Sequence, residues 1–387
     1  MAATRDGDND PLGMVDDWGP EKVVCVSDRR TGMRGVLVID NTARGIGKGG
    51  TRMSPTMGVG EIARLARNMT WKWAAVDMFY GGAKAGIVAD PAGADKEAVL
   101  RAFARALHNE VPAEYVFGLD MGLTERDAAV IVDELGRAAA VGTPGVLGGL
   151  AYDSLGITGY GVAEAAGAAA AFLGMDVAAG ARVAVQGFGA VGTALVRRLG
   201  EMGAVVVAVS TAEGALSEPE GFDVEALLQA REAHGDQLVR HLPGRRLPLG
   251  EELTVDADIL LPAARQDVID EALAARIRAR LVVEGANLPT TPAAQDVLAE
   301  RGVTVVPDFI ANAGGVIAAG FAMDARTSAF RPQVEPVLRA VAEKIRVNTV
   351  DCLSGARASG LTPHRVARKV AMDRVRDAMT ARGRIGG

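Results

Sequence analysis

Val183-Ala-Val-Gln-Gly187-Phe188-Gly189-Ala190-Val191-Gly192 is the stretch that decides the fold. An apolar run with strand character, Ala181–Gln186, leads into the spacing Gly-x-Gly-x-x-Gly, and Thr193–Met202 beyond it has helical character. In such a turn the first glycine allows the sharp bend, the second lets a phosphate approach the backbone, and the third lets the helix close on the strand. The free amides at the start of that helix then face the anion. The glycine spacing alone is common. Its place between a strand and a helix makes residues Gly187, Phe188, Gly189, Ala190, Val191 and Gly192 a dinucleotide loop.

Working outward, Val205–Ser210 reads as the next strand, and Ile259–Pro262, Leu281–Gly285 and Val303–Pro307 as further short strands beside helical stretches. Apolar strands alternating with helices predict a parallel, doubly wound sheet. A carboxylate about twenty residues past the loop ordinarily binds the adenosine ribose. Here Ser210 and Thr211 end the strand, with no carboxylate to repel a 2′-phosphate and no adjacent lysine or arginine to attract one. NAD and NADP both remain open as the cofactor.

Upstream the pattern mixes strands and helices. Lys22–Ser27 and Gly35–Asp40 read as strands separated by the turn-like Asp28–Gly32. Val59–Val76 and Lys96–Leu107 read as helices, and Thr124 with Asp127 has capping-box spacing at the start of a third. The polar start, residues 1–20, reads as flexible. The chain thus divides into an α/β substrate-binding and oligomerisation domain (1–150), a Rossmann-like dinucleotide-binding domain (151–330) and C-terminal helices (331–387) that pack back on the first domain. At 387 residues, two domains are the natural expectation.

The first domain carries the chemistry. Met69-Thr-Trp-Lys72-Trp-Ala-Ala-Val-Asp-Met-Phe-Tyr-Gly81-Gly82-Ala-Lys84-Ala-Gly-Ile holds two lysines in apolar, glycine-cushioned surroundings. An ammonium group loses hydration there, and burial lowers a lysine's pKa toward the range of a base or nucleophile. The Gly81-Gly82 pair is read as room for a ligand to approach the backbone. Lys48, in Asn41-Thr-Ala-Arg-Gly-Ile-Gly-Lys48-Gly-Gly-Thr-Arg-Met, is a third lysine among glycines. The three suit a substrate with one or two carboxylates. Asp120, in Gly118-Leu-Asp-Met-Gly, is the candidate proton-transfer partner of Lys84.

Composition narrows the classes. A net charge of −6 and no basic run argue against nucleic acid as a partner. No apolar run reaches the length of a membrane span, and the acidic start has no signal-peptide core, so a cytoplasmic protein is expected. Cys25 and Cys352 make no disulfide framework, and the four histidines lack metal-ligand spacing, so no metal is expected.

Together these segments resemble the glutamate/leucine/phenylalanine/valine dehydrogenase family. The resemblance runs from about residue 30 to 325 through the Lys48, Lys72 and Lys84 motifs, Thr158-Gly-x-Gly, the Gly187 loop, Pro262-Ala-Ala, Glu284-Gly-Ala-Asn287 and Asn312-Ala-Gly-Gly-Val. It implies an NAD(P)-dependent amino acid dehydrogenase that interconverts an L-amino acid with a 2-oxo acid and ammonia, with the two domains closing over a cleft. By the same resemblance Lys72 binds the α-carboxylate, Lys84 activates water, and Asp120 exchanges protons with the amino group. Asn312 orients the substrate, while Thr158 and Asn287 contact the nicotinamide side. Lys48 matches the glutamate enzymes, in which it holds the side-chain carboxylate, whereas leucine-type members are apolar there. Ala319 stands where those glutamate enzymes usually place a serine, so half of that carboxylate site is missing. Glutamate is the expected substrate and a branched or aromatic amino acid the alternative; a catalytically silent dinucleotide-binding protein is a more distant one. A homo-oligomer, a hexamer by preference, is implied.

Overall fold

The computed structural model of the chain describes residues 10–150 and 155–386, which fall into two compact units. The first comprises residues 1–151, 319–333 and 370–387, and the second residues 152–318 and 334–369. The reading of residues 1–20 as flexible lies outside the described residues up to position 9, while Leu12–Met14 form a short 3-10 turn.

In the first unit β1 (Lys22–Asp28), β2 (Met33–Asn41), β3 (Gly47–Lys48), β4 (Thr51–Met53), α1 (Val59–Ala75), β5 (Gly81–Ile87), α2 (Lys96–Ala106), β6 (Tyr115–Val116) and α3 (Glu125–Leu135) follow in order. The sheet runs β1-β2-β5-β3-β6, with β4 also pairing β5. β2 is antiparallel to both its neighbours, β1 and β5, and β3 and β4 run parallel to β5. Leu37, Ile39, Ala83, Ala85 and Ile87 form one face of the core with Leu100 and Phe103 of α2 and Ile131 of α3. Val36 and Val38 face the other way, onto Ile62 and Ala66 of α1. The Thr124–Asp127 capping box starts α3 as its spacing predicts.

β5 corrects the reading of Gly81-Gly82 as open backbone. All seven of its residues are buried. Gly82 and Gly86 admit α1 and the segment leading into it rather than a ligand: a Cβ at Gly82 would lie 2.0 Å from Thr70 Oγ1, and one at Gly86 2.3 Å from Met57 Sδ and 2.8 Å from Ile62 Cδ1. Lys84 lies between them by strand alternation and pairs with Val38, so it shares the α1 face.

The second unit contains α4 (Ile157–Phe172), β7 (Arg182–Gln186), α5 (Ala190–Glu201), β8 (Val205–Thr211), β9 (Gly214–Ser217), α6 (Val224–His234), β10 (Arg245–Leu247), β11 (Ile259–Pro262), α7 (Glu271–Ala274), β12 (Leu281–Val283), α8 (Pro292–Glu300), β13 (Thr304–Val306) and α9 (Asp308–Ala311). Its sheet order is β10-β9-β8-β7-β11-β12-β13. The five strands β7, β8, β11, β12 and β13 are parallel, and β9 and β10 extend the β8 edge antiparallel. Ala184 packs with Leu298 of α8, whereas Val185 faces Gly192 of α5, so helices cover both faces. The order reverses between β7 and β11, and the Gly187 loop leaves β7 at that switch point.

The chain ends in α10 (Gly314–Ala325), α11 (Val334–Ser359) and α12 (Pro363–Ala381). These helices do not form one C-terminal block on the first domain. α11 belongs to the second unit, where Arg346 reaches the buried Glu164 of α4 and a Cβ on Gly161 would meet Ile345. Only residues 319–333 and those from 370 onward join the first unit. Among the described residues, no helix is long and apolar enough to cross a membrane.

Candidate active site

The first unit gathers a buried cluster of charge. Lys84 Nζ lies 3.0 Å from Asp120 Oδ2, and Arg52 Nε donates to the same oxygen at 3.0 Å. Arg52 also reaches Glu61 Oε1 at 2.6 Å, fastening β4 to the first turn of α1. Lys84 is 6% exposed and Asp120 is half-buried. Burial pushes the Lys84 ammonium below the ordinary lysine range against the pull of Asp120, while Arg52's charge adds to the fall. Burial alone would raise Asp120, but Lys84 and Arg52 outweigh it and hold the carboxyl below its usual range.

Lys48 is held differently. It is 3% exposed, on a two-residue strand between β5 and β6. Among the described residues its Nζ meets only the carbonyl oxygens of Val116 and Gly49, at 3.3 and 3.4 Å, and forms no ion pair. Burial, with the charges of Lys84 and Arg326, brings its pKa down to about 7. Space for the ammonium exists because residue 118 is glycine: a Cβ there would lie 2.3 Å from Nζ. Trp73 Nε1 donates to Lys48 O at 3.0 Å and fixes the backbone.

Lys72 sits half-buried on the last turn of α1, where the helical spacing expects it. Ala319 is buried on α10 and belongs to the first unit. Arg52 and Arg326 are members of the cluster that the sequence reading missed. Arg52 stood in the quoted Gly-Gly-Thr-Arg run, where an arginine among glycines was the available signal. Arg326 had no local signal, because only the fold brings it near Lys48.

The second unit holds the candidate cofactor residues. Gly187 has φ +89, a conformation that suits glycine, and a Cβ at Gly192 would fall 1.9 Å from Gly187 O. At Gly189 a Cβ would meet nothing within 4 Å, so the backbone is open to a pyrophosphate just where α5 begins. Phe188 is buried, and the loop residues Ala190 and Val191 form the first turn of α5. These residues fit a dinucleotide. Ser210 Oγ accepts the Gly187 N–H at 3.1 Å, and Thr211 Oγ1 donates to Asp236 O at 2.6 Å. The fold brings Arg240 to Glu213, 2.5 Å away, so a cation does stand near the end of β8 although no basic residue adjoins it in sequence.

Asn312 Nδ2 donates to Asn287 Oδ1 and Ala286 O, both at 3.2 Å, which places the two expected asparagines together beyond β12. Glu284 ties that loop down by accepting the Asp308 N–H at 2.9 Å and meeting His364 Nε2 at 2.8 Å. Thr158 lies half-buried in the first turn of α4, close to Gly315.

Two family models match the chain. One described as Glu/Leu/Phe/Val dehydrogenase, dimerisation domain, covers residues 20–137, and one described as Glutamate/Leucine/Phenylalanine/Valine dehydrogenase covers residues 148–383. A glutamate dehydrogenase of Thermotoga maritima is 36% identical over 90% of this chain and 86% of its own length. The NADP-specific glutamate dehydrogenase A1 of Halobacterium salinarum is 36% identical over 89% of this chain and 85% of its own. A hetero-hexameric glutamate dehydrogenase from Thermus thermophilus superposes with a TM-score of 0.82 at 31% identity, covering 94% of this chain and 90% of that one.

Proposed function

The chain belongs to the glutamate/leucine/phenylalanine/valine dehydrogenase family, and we propose that its reaction is the reversible, NAD(P)-dependent oxidative deamination of L-glutamate to 2-oxoglutarate and ammonia. One observation carries the choice of glutamate: Lys48 is buried beside the Lys84–Asp120 pair, and among the described residues its ammonium has only carbonyl oxygens as hydrogen-bond partners. A lone buried cation lacks the partner that offsets its desolvation. A side-chain carboxylate supplies that partner, and an apolar side chain does not. The relatives named as glutamate dehydrogenases support the same reading.

In this reading Lys72 binds the α-carboxylate and Lys48 the side-chain carboxylate. Asp120, kept ionised by its two cations, accepts a proton from the substrate ammonium. A nicotinamide held by the second unit would supply the hydride acceptor for Cα. Lys84, whose lowered pKa makes the free amine accessible, then takes a proton from the water that adds to the iminium carbon. Arg52 shares Asp120 Oδ2 and so weakens that oxygen's hold on the Lys84 proton. Collapse of the resulting carbinolamine, with a proton delivered to nitrogen, releases ammonia and leaves the 2-oxo acid.

Gly187, Gly189 and Gly192 with the α5 amides would hold the pyrophosphate, and Thr158 and Asn287 would serve the nicotinamide side. Asn312 orients the substrate from beside Asn287. The cofactor is NAD or NADP. The protein is further read as a cytoplasmic homo-oligomer, a hexamer by preference; a dimerisation-domain match supports association.

The missing hydroxyl at Ala319 keeps a leucine-type substrate as the second reading. A panel of L-amino acids, oxidised with NAD and NADP in parallel, separates the two. Glutamate is expected to give the highest kcat/KM, and faster oxidation of leucine or phenylalanine would overturn the assignment.

A further inference from the structure

Ala319, Ala322 and Arg326 lie at i, i+3 and i+7 along α10 and its last turn, so they share one helix face. The Arg326 N–H still donates to Ala322 O at 3.1 Å, which keeps it in helical register. Helical side chains lean toward the N-terminus, so Arg326 leans toward position 319, and the residues at 319 and 322 on that face carry only methyl side chains. All three residues belong to the first unit, as does Lys48.

The guanidinium is only partly satisfied. Its Nη1 donates to Ala138 O at 3.3 Å, while among the described residues its buried Nε has no hydrogen-bond partner and Arg326 forms no ion pair. Ala138 adjoins Ala139, whose carbonyl accepts the Phe117 N–H, and Lys48 Nζ donates to the carbonyl of the residue before Phe117, Val116. The two cations therefore attach to neighbouring segments of one sheet edge. A second path of contacts links the same helix to Lys48. A Cβ at Gly320 would meet Met78 and approach the Tyr80 ring, Tyr80 lies edge-on to Trp73 at 4.9 Å, and Trp73 donates to Lys48 O. Arg326 is also among the charges that depress Lys48.

We propose that Arg326 is a specificity-determining residue, whose guanidinium gives the substrate's side-chain carboxylate its second contact in place of the hydroxyl absent at Ala319, Lys48 giving the first. This rests on the glutamate reading. Guanidinium pairs well with a carboxylate because its planar donors match both oxygens. A substrate with an apolar side chain leaves both cations unpartnered, so the same arrangement that favours a dicarboxylate rejects a monocarboxylate.

The test compares reductive amination of 2-oxoglutarate and 2-oxohexanoate, at saturating ammonia and cofactor, by the wild type, Arg326→Gln and Arg326→Lys. Arg326→Gln is expected to raise the KM for 2-oxoglutarate and to lower the ratio of kcat/KM for 2-oxoglutarate over 2-oxohexanoate by about tenfold or more. Arg326→Lys, which keeps the charge without the fork, should fall between. Should Arg326→Gln fail to fold, the Lys variant decides: a wild-type ratio overturns the proposal. A ratio unchanged in Arg326→Gln, with both substrates losing in parallel or neither losing, also overturns it and leaves Arg326 as a structural clamp on Ala138. No 2-oxoglutarate turnover by the wild type overturns the glutamate reading itself.

Discussion

Lys84 and Lys48 are both buried lysines of the same unit, on the neighbouring strands β5 and β3 of one sheet, yet their surroundings differ. Lys84 touches a carboxylate that a second cation, Arg52, also claims. Lys48 touches two carbonyl oxygens and shares its neighbourhood with two further positive charges. The first arrangement is electrically complete without a ligand and is poised for proton transfer. The second is incomplete, and an anion completes it. Buried charge therefore serves two ends here, and the partner list distinguishes them better than burial does.

The largest effect should come from breaking the complete arrangement. Lys84→Met leaves Asp120 paired with Arg52, so the fold should persist while kcat for glutamate oxidation falls by about 10²–10⁴, the usual worth of a positioned acid–base group. Steady-state kinetics with a melting curve checks both halves. Activity within a few-fold of wild type would remove Lys84 from the chemistry. In the wild type, kcat for deamination should rise with pH as Lys84 loses its proton, and that limb should lie below the ordinary lysine pKa of 10.5.

Lys48→Met should act in opposite directions on stability and activity. The folded pKa is about 7 against an ordinary 10.5, so between these values the unfolded chain binds more protons. Stability from this group thus rises with pH across that window and is lowest below about pH 7, where the folded protein carries a charged, unpaired ammonium. Methionine removes the penalty, so the melting temperature near neutral pH should rise. The kcat/KM for 2-oxoglutarate should fall by about 10²-fold, as for a lost contact to a charged ligand group. A lower melting temperature would mean that the carbonyl contacts satisfy Lys48 after all.

The same lysine makes substrate binding pH-dependent. A side-chain carboxylate binds the protonated ammonium, so dicarboxylate binding near and above pH 7 should take up a proton. The KM for 2-oxoglutarate should then climb above pH 7 by up to about tenfold per unit, an effect that 2-oxohexanoate should not share. Equal pH profiles for the two substrates would assign the titration to the α-carboxylate end.

How much of this was legible in the sequence follows from where each signal resides. The β7–α5 loop is local, since strand, glycines and helix are consecutive, and it folds as read. α1 with Lys72, and the Thr124–Asp127 cap, are equally local. β5 was not legible, because Gly-Gly-Ala-Lys-Ala-Gly-Ile has poor strand propensity and its glycines are explained only by α1 lying on them. The Arg52 contact, the Arg240–Glu213 pair and the position of Arg326 are products of tertiary structure. The C-terminal segment misled for a related reason: a helical pattern shows that α11 has an apolar stripe, not which unit buries it.

Ala319→Ser should give the smallest effect and the sharpest comparison of the two lysines' surroundings. A serine at that point of α10 can bond back to the carbonyl of Gly315, a contact that is neutral to slightly unfavourable for a helix, so the melting temperature should change little. With a dicarboxylate bound, the hydroxyl has a charged acceptor, and kcat/KM for 2-oxoglutarate should rise by about tenfold at most. If Arg326 already supplies the second contact, the two groups compete for one carboxylate and their effects are not additive. Ala319→Ser should then gain less in the wild type than in the Arg326→Gln background. Equal gains in the two backgrounds would mean that Arg326 lies outside the carboxylate's reach. A gain shared by 2-oxohexanoate would mean that position 319 acts on packing rather than on charge, and the incomplete arrangement around Lys48 would then have to be completed by something other than the substrate's far carboxylate.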